Sequence, residues 1–249
     1  MTGAAADTAL LIAAHGERQP GASNASTLQI ARAVAARGVV EVATGFINGA
    51  PSIGEALDSL AARRVVVYPL FAANGYFTRD RLVSILDEAN GQGRVIELLP
   101  PLGLDRGLPA LIADRARIIA AANGFAHKEF NVVLLAHGSR RNPASREATE
   151  WVAAEVARLG VCRRVKAAFL EERPSLEEAA ATCPGPTVVV GMFSGEGLHG
   201  ARDAPRLIAG LGRPEVAYAG VIGNAPGIED LVVRAVRAAL EGRRSTVGV

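Results

Sequence analysis

Lysine is nearly missing from this chain. Of 249 residues only Lys128 and Lys166 are lysine, so arginine supplies almost all of the positive charge. With 27 basic against 25 acidic residues the formal charge is +2, and no basic block stands out. That argues against a nucleic-acid binder, which needs a concentrated basic stripe. Long apolar runs are missing too: nothing approaches the roughly 18 residues that cross a bilayer, so no membrane role is expected. The two cysteines, Cys162 and Cys183, are too few for a disulfide framework and read as small buried hydrophobes in a reducing compartment. The opening MTGAAADTALLIAAHG has no basic leader segment before its apolar stretch, so a cytoplasmic protein without a signal peptide is expected. Neither G-x-x-x-x-G-K-S/T nor G-x-G-x-x-G after a strand occurs, which weakens a phosphate- or nucleotide-binding reading. Histidine is scarce, at four residues: His15, His127, His137 and His199.

What is present is a core and a repeat. Hydrophobic residues make up 49% and charged residues 21%. The length suits two domains of about 120 residues each. ALLIAAHGERQPGAS (9–23) resembles VVLLAHGSRRNPASR (132–146), FINGAPSIGEAL (46–57) resembles FLEERPSLEEAA (169–180), and VVVYPLFAANGYF (65–77) resembles VVVGMFSGEGLHG (188–200). The same 122 residues separate His15 from His137 and Phe77 from His199. This is the mark of a duplicated domain, with a period too long for a solenoid. The division falls at 1–124 and 125–249, with a linker near 121–130 where Asn123-Gly124 breaks the helical pattern.

Each half alternates strand and helix signals. Strands are predicted near 8–14, 39–47, 64–71 and 94–99, and again near 131–136, 163–170, 186–193 and 214–222. Helices are predicted near 24–37, 51–62, 78–90 and 107–123, and near 143–159, 174–182, 203–211 and 226–241. Proline beside a first helical turn marks the starts at Pro51, Pro174 and Pro205. The strands are short, continuous Val/Leu/Ile/Ala runs, as in a parallel sheet covered on both faces. The expected fold is therefore α/β: two tandem, doubly wound parallel-sheet domains from an internal duplication, with a cleft between them.

Ligands of such sheets bind outside the carboxyl ends of the strands, where strand order reverses. His137 follows the first strand of its half and His199 the third. In a flavodoxin-like order these strands are neighbours. Glu171 and Glu172 follow the second strand on the same edge. Imidazole suits first-row divalent metals, and a nearby carboxylate can complete the site or take up protons. Glycine after each of the two histidines allows a tight turn. Glu171 and its neighbour Glu172 compete for the role of that carboxylate. His127 lies in the linker and receives no role.

These motifs resemble those of the class II chelatases of tetrapyrrole synthesis, the sirohydrochlorin cobalt- and ferrochelatases of the CbiX/SirB type, in their long, two-domain form. A strand ends in His137-Gly138-Ser139, a second in Phe169-Leu170-Glu171-Glu172-Arg173-Pro174, and a third is followed by Gly197-Leu198-His199 with Asp203-Ala204-Pro205. The resemblance covers nearly the whole chain. It implies ATP-independent insertion of Co²⁺, with Fe²⁺ next, into sirohydrochlorin, in cobalamin or siroheme synthesis. The metal is a substrate, and no organic cofactor is implied. It also implies that His137, Glu171 and His199 bind the metal or accept pyrrole protons. His15, Ser139, Arg140, Arg141 and Arg202 are the expected substrate-binding residues, since guanidinium forks suit a polycarboxylate ring. Arg146 and Arg173 also flank the motifs. The first half departs from the pattern: Glu17 replaces the serine, Asn48 the glutamate and Phe77 the second histidine. Chemistry is therefore assigned to the second half. Asn74, Tyr76 and Phe77 could pack on a flat macrocycle or merely fill space. A monomer is expected. The competing reading is a carrier of metal or tetrapyrrole that inserts nothing.

Overall fold

The computed structural model describes residues 7–16, 24–195 and 199–242, with His199 described by its backbone only. Strand β1 (Thr8–Ala14), TALLIAA, is buried at every residue, and so is β3 (Arg64–Pro69), RVVVYP. Runs with no polar face hold together only where both faces of a sheet are covered. β1 accordingly sits inside a parallel sheet. It pairs with β2 (Glu41–Phe46) on one side and β3 on the other, and β4 (Val95–Leu98) completes the order β2-β1-β3-β4.

The second sheet repeats this plan with β5 (Asn131–Ala136), β6 (Arg164–Phe169), β7 (Thr187–Gly191) and β8 (Val216–Val221), in the order β6-β5-β7-β8. All of its pairings are parallel, and Ala136 stands opposite Phe169. Central β5 and β7 are wholly buried, whereas edge strand β6 exposes Arg164 and Lys166. The expected α/β class, two parallel-sheet domains with flanking helices, is the observed one, and every predicted strand is present.

The helices are α1 (Ala25–Ala36), α2 (Ile53–Asp58), α3 (Leu82–Ala89), α4 (Leu108–Ala122), α5 (Ala144–Arg158), α6 (Leu176–Ala181), α7 (Ala204–Gly210) and α8 (Ile228–Gly242). α2 and α6 begin alike. Ser52 accepts the Glu55 N–H at 3.2 Å while its own N–H donates to the Glu55 carboxylate at 2.7 Å. Ser175 and Glu178 do the same at 3.2 and 2.9 Å. These capping boxes satisfy backbone donors that a helix start otherwise leaves open. Proline lies inside the first turn only at α4 and α7; Pro51 and Pro174 stand just before the capping serines.

The elements form two compact units. One holds β1–β4, α1–α3 and α8. The other holds α4, β5–β8 and α5–α7. These units do not follow the 1–124 and 125–249 division. α4 buries a stripe at helical spacing, Leu108, Ile112, Ala116 and Ala120, in the second unit, where Arg115 Nε donates to the Ala219 carbonyl of β8 at 3.1 Å. α8 belongs to the first unit. The buried Arg64 of β3 donates to its Ala239 carbonyl at 3.2 Å and pairs with Glu97, and Arg37 meets its Asp230 at 2.7 Å. A stripe at helical spacing tells that a helix is buried, not which sheet buries it. The division at 124 stands as a proposal about the repeat, not about the packed units.

Candidate functional site

In the second unit β5 lies between β6 and β7, so the chain leaves toward opposite sides at the β5/β7 boundary. The carboxyl ends of these three strands deliver the residues singled out from the sequence. His137 follows β5 directly, and its Nδ1 lies 3.8 Å from Glu171 Oε1, two residues past β6. The side chains are 44% and 61% exposed, so a solute can reach both. Their backbones are tied as well: the N–H groups of Leu170 and Glu171 donate to the His137 carbonyl at 3.1 and 3.0 Å. Gly138 turns the chain at φ +74°, where a side chain is strained, and a Cβ there would lie 2.8 Å from Glu172 Cγ.

His199 opens a short π-helical turn, His199–Asp203, in the segment after β7. Its side chain, like Gly197 and Leu198 of the same motif, lies outside the described residues. The turn itself is fixed. Tyr218 of β8 donates its hydroxyl to the Gly200 carbonyl at 3.1 Å, and a Cβ on Gly200 would lie 2.3 Å from Val221 Cγ1. Sequence reading missed Tyr218, because an aromatic residue in an apolar strand carries no mark of its polar end. Among the described residues no three metal-capable side chains converge. His137 and Glu171 come together as a pair.

The two adjacent glutamates are used differently. Glu172 is only 13% exposed, and both its oxygens are engaged. Oε1 accepts the Ser139 N–H at 3.0 Å, and Oε2 accepts Arg146 Nη2 at 2.7 Å and Nε at 3.1 Å. Burial works to raise its carboxyl, but the Arg146 hydrogen bond, the Ser139 N–H and the Arg146 charge outweigh it and hold Glu172 below the ordinary carboxylate range. A carboxylate stabilised in its charged form is a poor proton acceptor.

A cavity of about 700 Å³ opens beside Glu171, lined by Ser139, Arg140, Arg141, Leu170, Glu171, Glu172 and Arg173. Arg140 Nε donates to the Glu171 carbonyl at 3.2 Å, Arg141 is exposed, and the exposed Arg173 pairs with Glu178 at 3.0 Å. The Ser139 hydroxyl accepts the N–H groups of Arg141 and Asn142 at 3.2 and 3.3 Å, which shapes the loop that carries the arginines. Arg202, also exposed, sits on the His199 turn, 3.7 Å from Asp203.

The first unit builds the same frame around different groups. His15 follows β1, Gly16 turns at φ +74°, and the Asn48 N–H donates to the His15 carbonyl at 2.8 Å. The Asn48 amide lies 3.3 Å from His15 Nδ1, where the second unit has a carboxylate. Phe77 opens a π-helical turn, Phe77–Arg81, and its ring meets the His15 ring edge-on, with centroids 4.5 Å apart. Tyr76 packs edge-on against Phe77 and is largely exposed. Glu17 lies outside the described residues.

His127 is exposed in the turn before β5. Both cysteines are free, and burial, helped by the nearby Cys183, pushes the Cys162 thiol up to about 11, so it is no thiolate ligand at neutral pH. No described helix is long and apolar enough to cross a membrane.

Comparison with known proteins gives a consistent result. The sequence model of the CbiX family matches residues 9–119 and again 131–239. A probable sirohydrochlorin cobaltochelatase of Halobacterium salinarum is 25% identical over 90% of this chain and 89% of its own length. The solved structure of CbiX, the terminal enzyme for siroheme biosynthesis in denitrifying bacteria, is 31% identical, covering 92% of this chain and 98% of that one with a TM-score of 0.73. SirB from Bacillus subtilis, solved with Fe³⁺, shares the fold at a TM-score of 0.79 over 96% and 98% of the two chains, with 18% identity.

Proposed function

This chain belongs to the CbiX family, and from that premise we propose that it inserts a divalent metal into sirohydrochlorin without ATP, with Co²⁺ preferred and Fe²⁺ next. The site is His137, Glu171 and His199 of the second unit. The observation that carries this reading is the pairing of an accessible imidazole and an accessible carboxylate, 3.8 Å apart, at adjoining strand ends. The cobalt preference rests on the Halobacterium relative, named a cobaltochelatase. The alternative rests on the CbiX named for siroheme biosynthesis. SirB structures have been solved with cobalt and with Fe³⁺.

The chemistry follows from what insertion requires. Pyrrole N–H protons must leave, and the ion must exchange its water for ring nitrogens. His137 holds the ion while leaving positions open for the ring. Glu171 is exposed and, among the described residues, is not locked in an ion pair with an arginine; it accepts protons. His199, at the start of the turn that follows the neighbouring strand, is assigned as the second histidine of the site. Arg140, Arg141 and Arg202 engage the ring carboxylates, and Ser139 shapes the loop that presents two of them. Glu172 is withdrawn from this chemistry by Arg146 and Ser139. The protein works as a monomer in the cytoplasm.

The deciding experiment is an anaerobic assay of purified protein with sirohydrochlorin and Co²⁺, Fe²⁺ or Ni²⁺. Insertion fastest with Co²⁺ is the expected result. Insertion fastest with Fe²⁺ reverses the metal order. Tight binding of metal and ring with no insertion replaces the enzyme with a carrier.

A further inference from the structure

We propose that Glu172, clamped by Arg146, is the positioning residue of this site: it fixes the loops that hold His137 and Glu171 in register and takes no direct part in the chemistry. The inference rests on the reading of His137 and Glu171 as the metal-holding pair.

Three segments meet at the Glu172 carboxylate. The loop after β5 contributes the Ser139 N–H at 3.0 Å. Helix α5 contributes Arg146, whose Nη2 and Nε both reach Oε2, at 2.7 and 3.1 Å. The loop after β6 contributes Glu172 itself, and Arg146 also donates to the neighbouring Arg173 carbonyl. The guanidinium is held from below as well, 4.6 Å from the centroid of the Phe169 ring. Charge-assisted, forked contacts of this kind fix geometry more tightly than neutral ones.

The clamp acts on the residues beside it through packing. The α-carbon of Gly138 is so close to Glu172 that a Cβ would fall 2.8 Å from Glu172 Cγ and 2.9 Å from Phe169 Cβ. Gly138 is bonded to His137, and Glu172 to Glu171. The contact therefore holds the imidazole and carboxylate between one shared hydrogen bond, Glu171 N–H to the His137 carbonyl, and one ion pair on the far side.

The first unit is the internal control. The counterparts of Glu172 and Arg146 are Gly49 and Asn24, and a Cβ on Gly49 would lie 3.0 Å from Asn24 Nδ2. The two positions meet there too, but glycine and asparagine form no ion pair. The same frame thus folds without the clamp, and the clamp accompanies only the half that keeps the histidine–carboxylate pair. A purely structural need would be common to both halves.

The test compares wild type with Glu172→Ala, Glu172→Gln, Arg146→Met and the double variant Glu172→Gln/Arg146→Met. The readouts are Co²⁺ affinity by titration, kcat and KM for insertion into sirohydrochlorin, and circular dichroism. Glu172→Ala is expected to weaken Co²⁺ binding and lower kcat by roughly 10–100-fold, the usual cost of losing a group that orients a metal ligand, with KM changed by less than about twofold. Glu172→Gln keeps an acceptor for the Ser139 N–H and recovers part of the loss. Arg146→Met lowers affinity and kcat in the same way. The double variant falls no further than the worse of its single changes, because both break one contact. If Glu172→Ala does not fold, the glutamine and methionine variants carry the test.

Wild-type affinity and kcat in Glu172→Ala overturn the proposal, as does a rise confined to KM, which makes Glu172 a substrate contact. Loss of insertion in Glu172→Gln as complete as in His137→Ala, with Co²⁺ affinity kept, also overturns it, by making Glu172 the proton acceptor. A wild type that binds Co²⁺ and inserts none sinks the chelatase reading alone, and the affinity changes still judge the clamp. A wild type that does not bind Co²⁺ sinks both.

Discussion

His15 and His137 leave equivalent strand ends in the same backbone shape. Each is followed by a glycine at φ +74°, and each carbonyl accepts the N–H of the residue two positions past the neighbouring strand, Asn48 or Glu171. One imidazole faces a carboxylate. The other is held by an amide and covered by a phenyl ring. The frame is common property of the repeat, whereas the chemistry proposed above rests on a few side chains mounted on it. On that proposal, the fold does not depend on those side chains.

The sharpest way to break this comparison is to remove the two histidines one at a time. His137→Ala is expected to lower the initial insertion rate by at least about 100-fold with an unchanged circular dichroism spectrum, because the residue is half exposed on a loop. His15→Ala should keep most of the activity. Equal losses would mean that both units contribute chemistry. Replacing Glu171 by glutamine is a smaller step, since solvent can still take up protons: a drop of roughly 10-fold in kcat is expected. No change at all would remove the carboxylate from the mechanism.

The comparison can also be run in reverse. Phe77→His alone should leave the protein with one Co²⁺ site, since Asn48 is an amide that neither carries charge nor accepts a proton readily. Asn48→Glu together with Phe77→His should add a second, weaker site, read as a Co²⁺ stoichiometry rising from one to two. If Phe77→His alone added it, the carboxylate would matter less than argued above.

The smallest effects test what the halves share. Ser52→Ala and Ser175→Ala should each lower the melting temperature by about 2–4 °C, as lost N-caps do in a protein of this size. The box at α2 has a pH signature. Glu55 is held below its ordinary 4.5 by the Ser52 N–H and then by the Ser52 hydroxyl. A depressed carboxylate stabilises fully above its unfolded value, and that contribution is lost as pH falls through the folded one. The Ser52→Ala penalty should therefore shrink in acid melts. A penalty independent of pH would show that the Ser52 hydroxyl adds nothing to the hold on Glu55.

Much of this architecture was legible in the sequence, for identifiable reasons. Val132–Leu135 and Val188–Val190 are buried on both faces, so their apolar runs had no alternative to a covered parallel sheet. The repeat pointed to the second half because Asn48 and Phe77 stand where that half has Glu171 and His199. The resemblance favoured Glu171 over Glu172, but local pattern alone did not separate them, since two adjacent glutamates look alike until Arg146 is seen to choose one. Tyr218 and the assignment of α4 and α8 were hidden for the same kind of reason: local pattern records that a residue is buried, not its distant partner.

The placement of α8 bears on how the protein is made. Arg64 and the Ala239 carbonyl that it meets are 175 residues apart in sequence. At the roughly 5–20 residues per second of ribosomal synthesis, β3 waits on the order of 10–35 s for that helix to emerge. The second unit, from α4 to β8, is almost continuous in the chain and can close in the meantime. The half begun first is thus the half finished last. Ribosome-bound chains stopped before α8 should show a protease-resistant second unit beside a first unit that is still open to cleavage.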